Sequence, residues 1–142
     1  MPDGRSPFQY AVWRVVPDVA RGERLNAGVV LLARTRGFVG ARVALDRRRL
    51  AVLDPTVDAD EVARHLEGLV RVAEGREDAG PIARLSPSER FHQLVAPAST
   101  IVQPSAVHTG VCDDPAATLE RLFARVVLPP GGDAGSPSGE YR

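Results

Sequence analysis

Two apolar runs near the amino terminus carry polar side chains within them, and this feature restricts the folds open to the chain more than any other. The first run, Tyr10–Pro17, contains Arg14. Asn26 opens the second run, which extends to Leu32, and Glu23 lies in the charged connection between the two runs. A charged or amide group that loses its water without gaining a partner costs several kcal/mol. Each of these side chains must therefore be paired or face solvent.

The alternation of apolar and polar residues predicts three consecutive antiparallel strands, joined as a meander. The strands run from about Phe8 to Val16, from Asn26 to Ala33 and from Phe38 to Leu45. Gly37 supplies the positive φ that a short hairpin loop needs between the second strand and the third. In the first strand Arg14 shares a face with the other even-numbered residues, while the odd-numbered residues point to the opposite face.

Capping patterns predict three helices after the meander. Asp58 and Glu61 have the spacing of an amino-terminal cap, and Ser86 and Glu89 form a stronger capping box with proline at the first helical position. Asp114 opens the third helix. Between the second and third helices lie two short strand or loop segments, Thr100–Gln103 and Val107–Val111.

These elements predict an α+β fold, in which an antiparallel meander of three N-terminal strands plus one or two short later strands packs against about three helices. The expected division of the chain is a flexible N-terminus at residues 1–7, a single α+β domain at 8–128 and a disordered tail at 129–142. Glycine, proline and serine dominate the tail, and such a composition cannot offset the entropy of ordering.

The basic residues are unusual in type and in distribution. All 18 are arginines, and the net charge is zero. Residues 1–50 carry ten arginines against four acids, a net +6, and residues 51–142 carry eight against fourteen, a net −6. This division can mark an anion-binding face on the N-terminal half. It can also mean that the two halves attract each other within the fold, and we favour the second interpretation.

The chain is expected to be a cytoplasmic protein without membrane contact. The single cysteine, Cys112, excludes an internal disulfide and fits a reducing compartment. The amino terminus has no apolar signal core, and the longest apolar stretch, Ala27–Ala33, is far too short to span a bilayer.

Short motifs along the chain are shared with a known family. They comprise Tyr10, Arg14, Pro17, Arg21, Glu23, Asn26, Gly28 and Val29, then Ser86-Pro87, Arg90-Phe91, Ser99-Thr100, Gln103-Pro104 and His108–Cys112. By these residues the chain resembles the bacterial domain-of-unknown-function family 3037 over about residues 8–128. The resemblance supplies no activity, cofactor or catalytic residue. It does imply a protein partner, a HipA-like kinase, because genes of the two kinds often lie side by side.

Four polar residues of the meander form the first candidate site. Arg14, Glu23, Asn26 and Arg42 could converge on one side of the sheet. We favour a structural interpretation, in which Arg14 and Glu23 form a bidentate ion pair that holds the first connection rigid. The functional alternative is a cradle for an anion or another ligand, built on the two guanidinium groups.

The second candidate site is catalytic. His108 and Cys112 lie four residues apart, just ahead of the third helix, where the helix dipole favours a thiolate and an imidazole could take the proton. Ser99, Thr100 or Gln103 would serve as polar supports. Against this, lone cysteines are commonly inert, buried small hydrophobes.

Metal, cofactor and nucleic-acid sites are not expected. His92, His108, Cys112, Asp113 and Asp114 include ligand types for zinc, but no tight pair of ligands has the required spacing. Arg47-Arg48-Arg49 is predicted to be a solvated connection after the third strand. It has no interleaved aromatic residues, as a nucleic-acid-binding segment would.

Binding is therefore favoured over catalysis. The leading hypothesis is a non-catalytic accessory domain that works with a protein partner. The alternatives are a small enzyme that uses His108 and Cys112, and an anion- or nucleic-acid-binding module that uses the arginine-rich N-terminal half.

Overall fold

A five-stranded antiparallel sheet forms the centre of the molecule. The computed structural model describes residues 4–131. Its strands are β1 (Ser6–Val15), β2 (Leu25–Ala33), β3 (Phe38–Val43), β4 (Val102–Pro104) and β5 (His108–Cys112). The order across the sheet is β3-β2-β1-β4, and β5 also pairs with β1. The two short strands thus follow one another along the same edge of β1, β5 beside Ser6–Tyr10 and β4 beside Trp13–Val15.

Four helices pack on this sheet, so the predicted α+β fold is confirmed with one helix more than expected. They are α1 (Arg47–Leu53), α2 (Ala59–Ala73), α3 (Pro87–Leu94) and α4 (Pro115–Val126). The additional helix is α1, which begins in the arginine run predicted to be a connection. The Asp46 carboxylate accepts a hydrogen bond from the backbone N–H of Arg49 and so caps this helix.

The predicted capping residues occupy the predicted positions. Asp58 accepts from the backbone N–H of Glu61, Ser86 from that of Glu89, and Asp114 from those of two residues in the first turn of α4. Gly37 closes the β2–β3 connection at φ +61°. The local signals for the starts of α2, α3 and α4 are therefore sufficient to locate them.

One face of the sheet is covered by α2 and α3 and holds the larger core. Trp13 is only 1% exposed and lies among odd-numbered side chains of β1 and the apolar stripe of α2. Its indole Nε1–H donates to the carbonyl of Leu94 at 3.1 Å, a bond between β1 and the end of α3. The indole ring is thus buried in the core, and its N–H has a hydrogen-bond acceptor.

The opposite face is covered by α4 over β2 and β3. Leu119 and Phe123 of α4 pack against Val29 and Leu31 of β2. Gly40 of β3 permits this close approach, because an added Cβ would lie 3.1 Å from Leu119 and closer still to Phe38. Because α4 lies over β2 and β3, several even-numbered side chains of β1 on this face remain only half-buried.

Ser105 lies between β4 and β5 and bonds to the part of the β1 edge that these two strands leave unpaired. The Ser105 hydroxyl accepts from the backbone N–H of Val12 at 2.9 Å, and the Ser105 N–H donates to the Val12 carbonyl at 2.8 Å. Both residues are buried. One serine therefore satisfies the two backbone groups of β1 that neither short strand reaches.

The ends of the chain fall largely outside this description. Residues 1–3 belong to the predicted flexible N-terminus and residues 132–142 to the predicted disordered tail, and both ranges lie outside the described residues. The division into one domain and two flexible ends stays a prediction. Across residues 4–131, none of the helices combines the length and the apolar character needed to cross a membrane.

The bridging role of Ser105 predicts a specific loss of stability. We expect Ser105→Ala to lower the free energy of unfolding by about 1–3 kcal/mol, because the buried N–H of Val12 loses its acceptor. Urea unfolding measures this change. Ser99→Ala, at an exposed position, is the control and should differ little from the original protein. An equal, small effect of both substitutions would contradict the role given to Ser105.

Candidate functional site

Glu23 does not pair with Arg14. It lies exposed in the β1–β2 connection, where it accepts a hydrogen bond from Nε of Arg21 at 2.6 Å. This bond, followed by the nearby carboxylate charge, raises the pKa of Arg21. Arg14 instead lies within β1, opposite Asn26 of β2. The ion pair favoured from the sequence is therefore absent, and a local pair two residues apart takes its place.

Asn26 holds the end of α4. The pairing of β1 with β2 shifts register between Trp13 and Arg14, which places Asn26 opposite Arg14. Its Nδ2 donates to the carbonyl of Val126 at 3.0 Å. The last carbonyls of a helix lack partners within the helix, so this bond supplies one of them. The position of Asn26 is thus explained by the packing of α4.

Arg42 is also engaged by α4. Its guanidinium group forms an ion pair with Glu120 and lies 4.8 Å from the centre of the Phe123 ring. The charge is offset by the carboxylate and the planar group stacks on an aromatic face. Arg42 therefore helps to fix α4 on β3 and is not free to form the predicted cradle.

Within residues 4–131, Arg14 is the member of the predicted cluster that has no side-chain partner. Its side chain is half-buried, and Nε is fully buried with no hydrogen-bond acceptor among the described residues. No carboxylate of residues 4–131 forms an ion pair with it. The pKa of Arg14 is lowered, first by burial of the guanidinium and second by the positive charge of Arg24. A buried nitrogen without an acceptor loses the hydrogen bond that it would make with water, so this donor destabilises the fold.

Arg14 shares the partly covered face of β1 with Phe8 and Tyr10, and the buried Val12 lies between Tyr10 and Arg14 on this face. Gln103 lies directly across from Arg14, and His108 lies directly across from Tyr10. The rings of Tyr10 and His108 stack with their centres 5.1 Å apart. We call this surface, Phe8, Tyr10, Arg14, Gln103 and His108, the open strip.

The open strip was only partly predictable. The even spacing of Phe8, Tyr10 and Arg14 along β1 places them on one face from the sequence alone. Gln103 and His108 join them only because β4 and β5 pair with β1. Arg24, whose charge acts on Arg14, is not singled out by sequence pattern.

His108 and Cys112 do not meet. They occupy opposite ends of β5, and a strand rises about 3.3 Å per residue, so their backbones are about 13 Å apart. Cys112 is 4% exposed and lies across from Ser6, while His108 is exposed and lies across from Tyr10. The imidazole is thus not placed to take a proton from the thiol.

A concavity lies at the start of α2, apart from the open strip. It has a volume of about 410 Å³ and is lined by Val57, Val62 and Ile101, with Glu61 and His65 among its polar residues. Asp58 also lines it, but the Asp58 carboxylate is occupied in capping α2. Within residues 4–131 no group of three histidine, cysteine or acidic side chains could hold a metal ion.

The opposite charges of the two halves are partly brought together. Arg42 pairs with Glu120 and Arg47 with Asp60, so both pairs join residues 1–50 to residues 51–142. The hydrogen bond from Arg47, followed by its charge, lowers the pKa of Asp60. Arg36 binds the carbonyls of Gly4 and Asp113. The arginines of the N-terminal half are therefore spread over several surfaces.

Comparison with known proteins places the chain in a family. The model for a protein of unknown function, DUF3037, matches residues 10–127. The chain belongs to this family. The DUF3037 match spans α1 to α4 and all five strands apart from the first residues of β1. No curated protein and no solved structure matches the chain.

The uncompensated charge of Arg14 predicts an unusual stability effect. We expect Arg14→Met to leave the melting temperature unchanged or to raise it by up to about 6 °C, because methionine retains an apolar stem and removes a desolvated charge. Calorimetry of the two proteins measures the difference. Arg42→Met is the matched control and should lower the melting temperature, since it removes the contacts with Glu120 and Phe123. A larger loss at Arg14 than at Arg42 would assign Arg14 a structural role.

The exposed position of Glu23 predicts a small effect of its removal. Glu23→Ala should shift the melting temperature by less than about 2 °C, because exposed ion pairs contribute little to stability. Thermal unfolding followed by circular dichroism checks this. A clear drop would show that Glu23 supports the fold through more than its contact with Arg21.

The burial of Cys112 predicts a slow reaction with thiol reagents. An aromatic disulfide reagent should label the native protein far more slowly than the unfolded chain, because the sulfur is shielded from solvent. The rate in His108→Ala should equal that of the original protein. Fast labelling that depends on His108 would instead support the hypothesis of an enzyme that uses His108 and Cys112.

Proposed function

We propose that this DUF3037 protein is a non-catalytic accessory domain that binds a protein partner through the open strip. The observation that carries this proposal is the half-buried row of Phe8, Tyr10 and Arg14 on the face of β1 that α4 covers only in part. Tyrosine and arginine dominate the binding energy of protein interfaces when a partner excludes water from them. The strip combines these residue types on a rigid strand.

The proposal has two further parts, which concern the identity of the partner and the compartment in which this protein works. The family resemblance suggests a HipA-like kinase as the first partner to test. A cytoplasmic location suits a chain whose single cysteine, Cys112, is unpaired. Capture of the partner tests the first of these proposals, and fractionation of cells that express the tagged chain tests the second.

Partner capture with matched variants tests the proposed function. The tagged chain, Tyr10→Ser and His108→Ser are expressed at native level, and each is also co-expressed with a HipA-like kinase. Val52→Ser is the control, because Val52 is 84% exposed on α1 and lies away from the open strip. Melting curves verify that every variant is folded.

We expect one protein to be recovered reproducibly both with the original chain and with Val52→Ser. Recovery should fall by about tenfold or more with Tyr10→Ser, as the loss of an interface hot spot would cause. Recovery that is indifferent to Tyr10 and His108 would exclude the open strip as the binding surface. Binding to another protein but not to the kinase would remove only the kinase as partner.

A further inference from the structure

We propose that the open strip receives an acidic segment of a protein partner, with one carboxylate held between the guanidinium groups of Arg14 and Arg24. This inference rests on the proposed function and names the chemistry of the partner. It follows from three observations on the described residues: the charges of these arginines, the engagement of the nearby acids, and the aromatic pair farther along the same face of β1.

The two arginines are close, and neither charge is compensated within residues 4–131. Val15, which follows Arg14, pairs with Leu25, which follows Arg24, so the two arginines flank one cross-strand pair. The charge of Arg24 lowers the pKa of Arg14. No carboxylate among residues 4–131 forms an ion pair with either arginine. Two like charges held together on one surface attract an anion that can lie between them.

The acids of the surrounding surface are engaged elsewhere. Glu23, the carboxylate nearest in sequence to Arg24, is bound by Arg21. Glu120 of α4 is bound by Arg42 on the same face of the sheet. Within residues 4–131, carboxylates pair with neighbouring arginines and none pairs with Arg14, so a carboxylate of a partner can supply the complementary charge.

The geometry of Arg14 suits a carboxylate. Nε is buried and lacks an acceptor, whereas the terminal nitrogens reach solvent from a half-buried side chain. Nε and one terminal nitrogen of an arginine form a fork that matches the two oxygens of a carboxylate. A small rotation of the side chain toward a bound carboxylate would give Nε the acceptor that it lacks.

The neighbouring side chains favour a peptide over a nucleic acid. The stacked rings of Tyr10 and His108 offer apolar contact to the rest of a bound segment. A nucleic acid needs a track of positive charge along its phosphates. On this face the next arginine, Arg42, is already neutralised by Glu120. Two free charges at one end of an aromatic surface match a single carboxylate.

Titration of the folded protein with defined anions tests the inference. NMR of the isotope-labelled chain follows the Nε–H signal of Arg14 and the amide signals of Tyr10 and His108. The probes are a blocked hexaglutamate peptide, inorganic phosphate and an oligothymidine, each added at constant ionic strength. Arg14→Met, Arg24→Met and Arg49→Met are titrated with the peptide. Arg49 is the matched control, because it is an exposed arginine on α1.

The peptide should shift the Arg14 signal saturably and at lower concentration than the other two probes. Arg14→Met and Arg24→Met should each weaken peptide binding by at least about fivefold, the effect of losing a charge-assisted contact, while Arg49→Met should change it by less than about twofold. The inference is overturned if the peptide leaves the Arg14 signal in place. Equal weakening by Arg49→Met, or tighter binding of phosphate or the oligothymidine, also overturns it.

Partner capture separates a failure of this inference from a failure of the proposed function. If Tyr10→Ser abolishes recovery of the partner and Arg14→Met leaves it unchanged, the open strip binds a protein but no acidic group is held at Arg14. If neither substitution affects recovery, the proposed function itself is wrong, whatever the peptide does.

Discussion

The pairing of β1 along both of its edges is the constraint on which the rest of the structure depends. β2 occupies one edge, while β5, Ser105 and β4 occupy the other edge in turn. Buried backbone groups must find partners, so the segment between α3 and α4 has to follow β1 closely. With β1 fixed inside the sheet, its odd-numbered side chains enter the core beneath α2 and α3. Phe8, Tyr10 and Arg14, on its other face, contribute to the open strip.

The parts of the fold that could be predicted are those set by local chemistry. The alternation along β1, the positive φ at Gly37 and the caps at Asp58 and Ser86 each depend on residues that are close in sequence. The helix α1 was missed because its arginine run resembles a solvated loop, although Asp46 supplies a cap of the same kind. Its short length gives almost no apolar periodicity to detect.

The candidate sites were less predictable, because side-chain partners depend on geometry that sequence spacing does not fix. A spacing of four residues makes neighbours on a helix, but it separates His108 and Cys112 along β5. Glu23 has several arginines within reach in sequence, and the connection between β1 and β2 presents it to Arg21. The meeting of Arg14 with Gln103 depends on a long-range strand pairing that no local pattern reveals.

Arg14 and Arg42 lie on the same face of the sheet, but they differ in their side-chain contacts with α4. α4 runs over β3, so Glu120 and Phe123 reach Arg42 and its charge becomes part of the packing. Beside Arg14, Asn26 of β2 donates a hydrogen bond to the carbonyl of Val126 at the end of α4. Arg14 is therefore left with a buried donor that no group of the described chain accepts. An apolar residue would fit this position at lower cost. This difference between the two arginines is the structural basis of the proposal that a partner supplies an acceptor to Arg14.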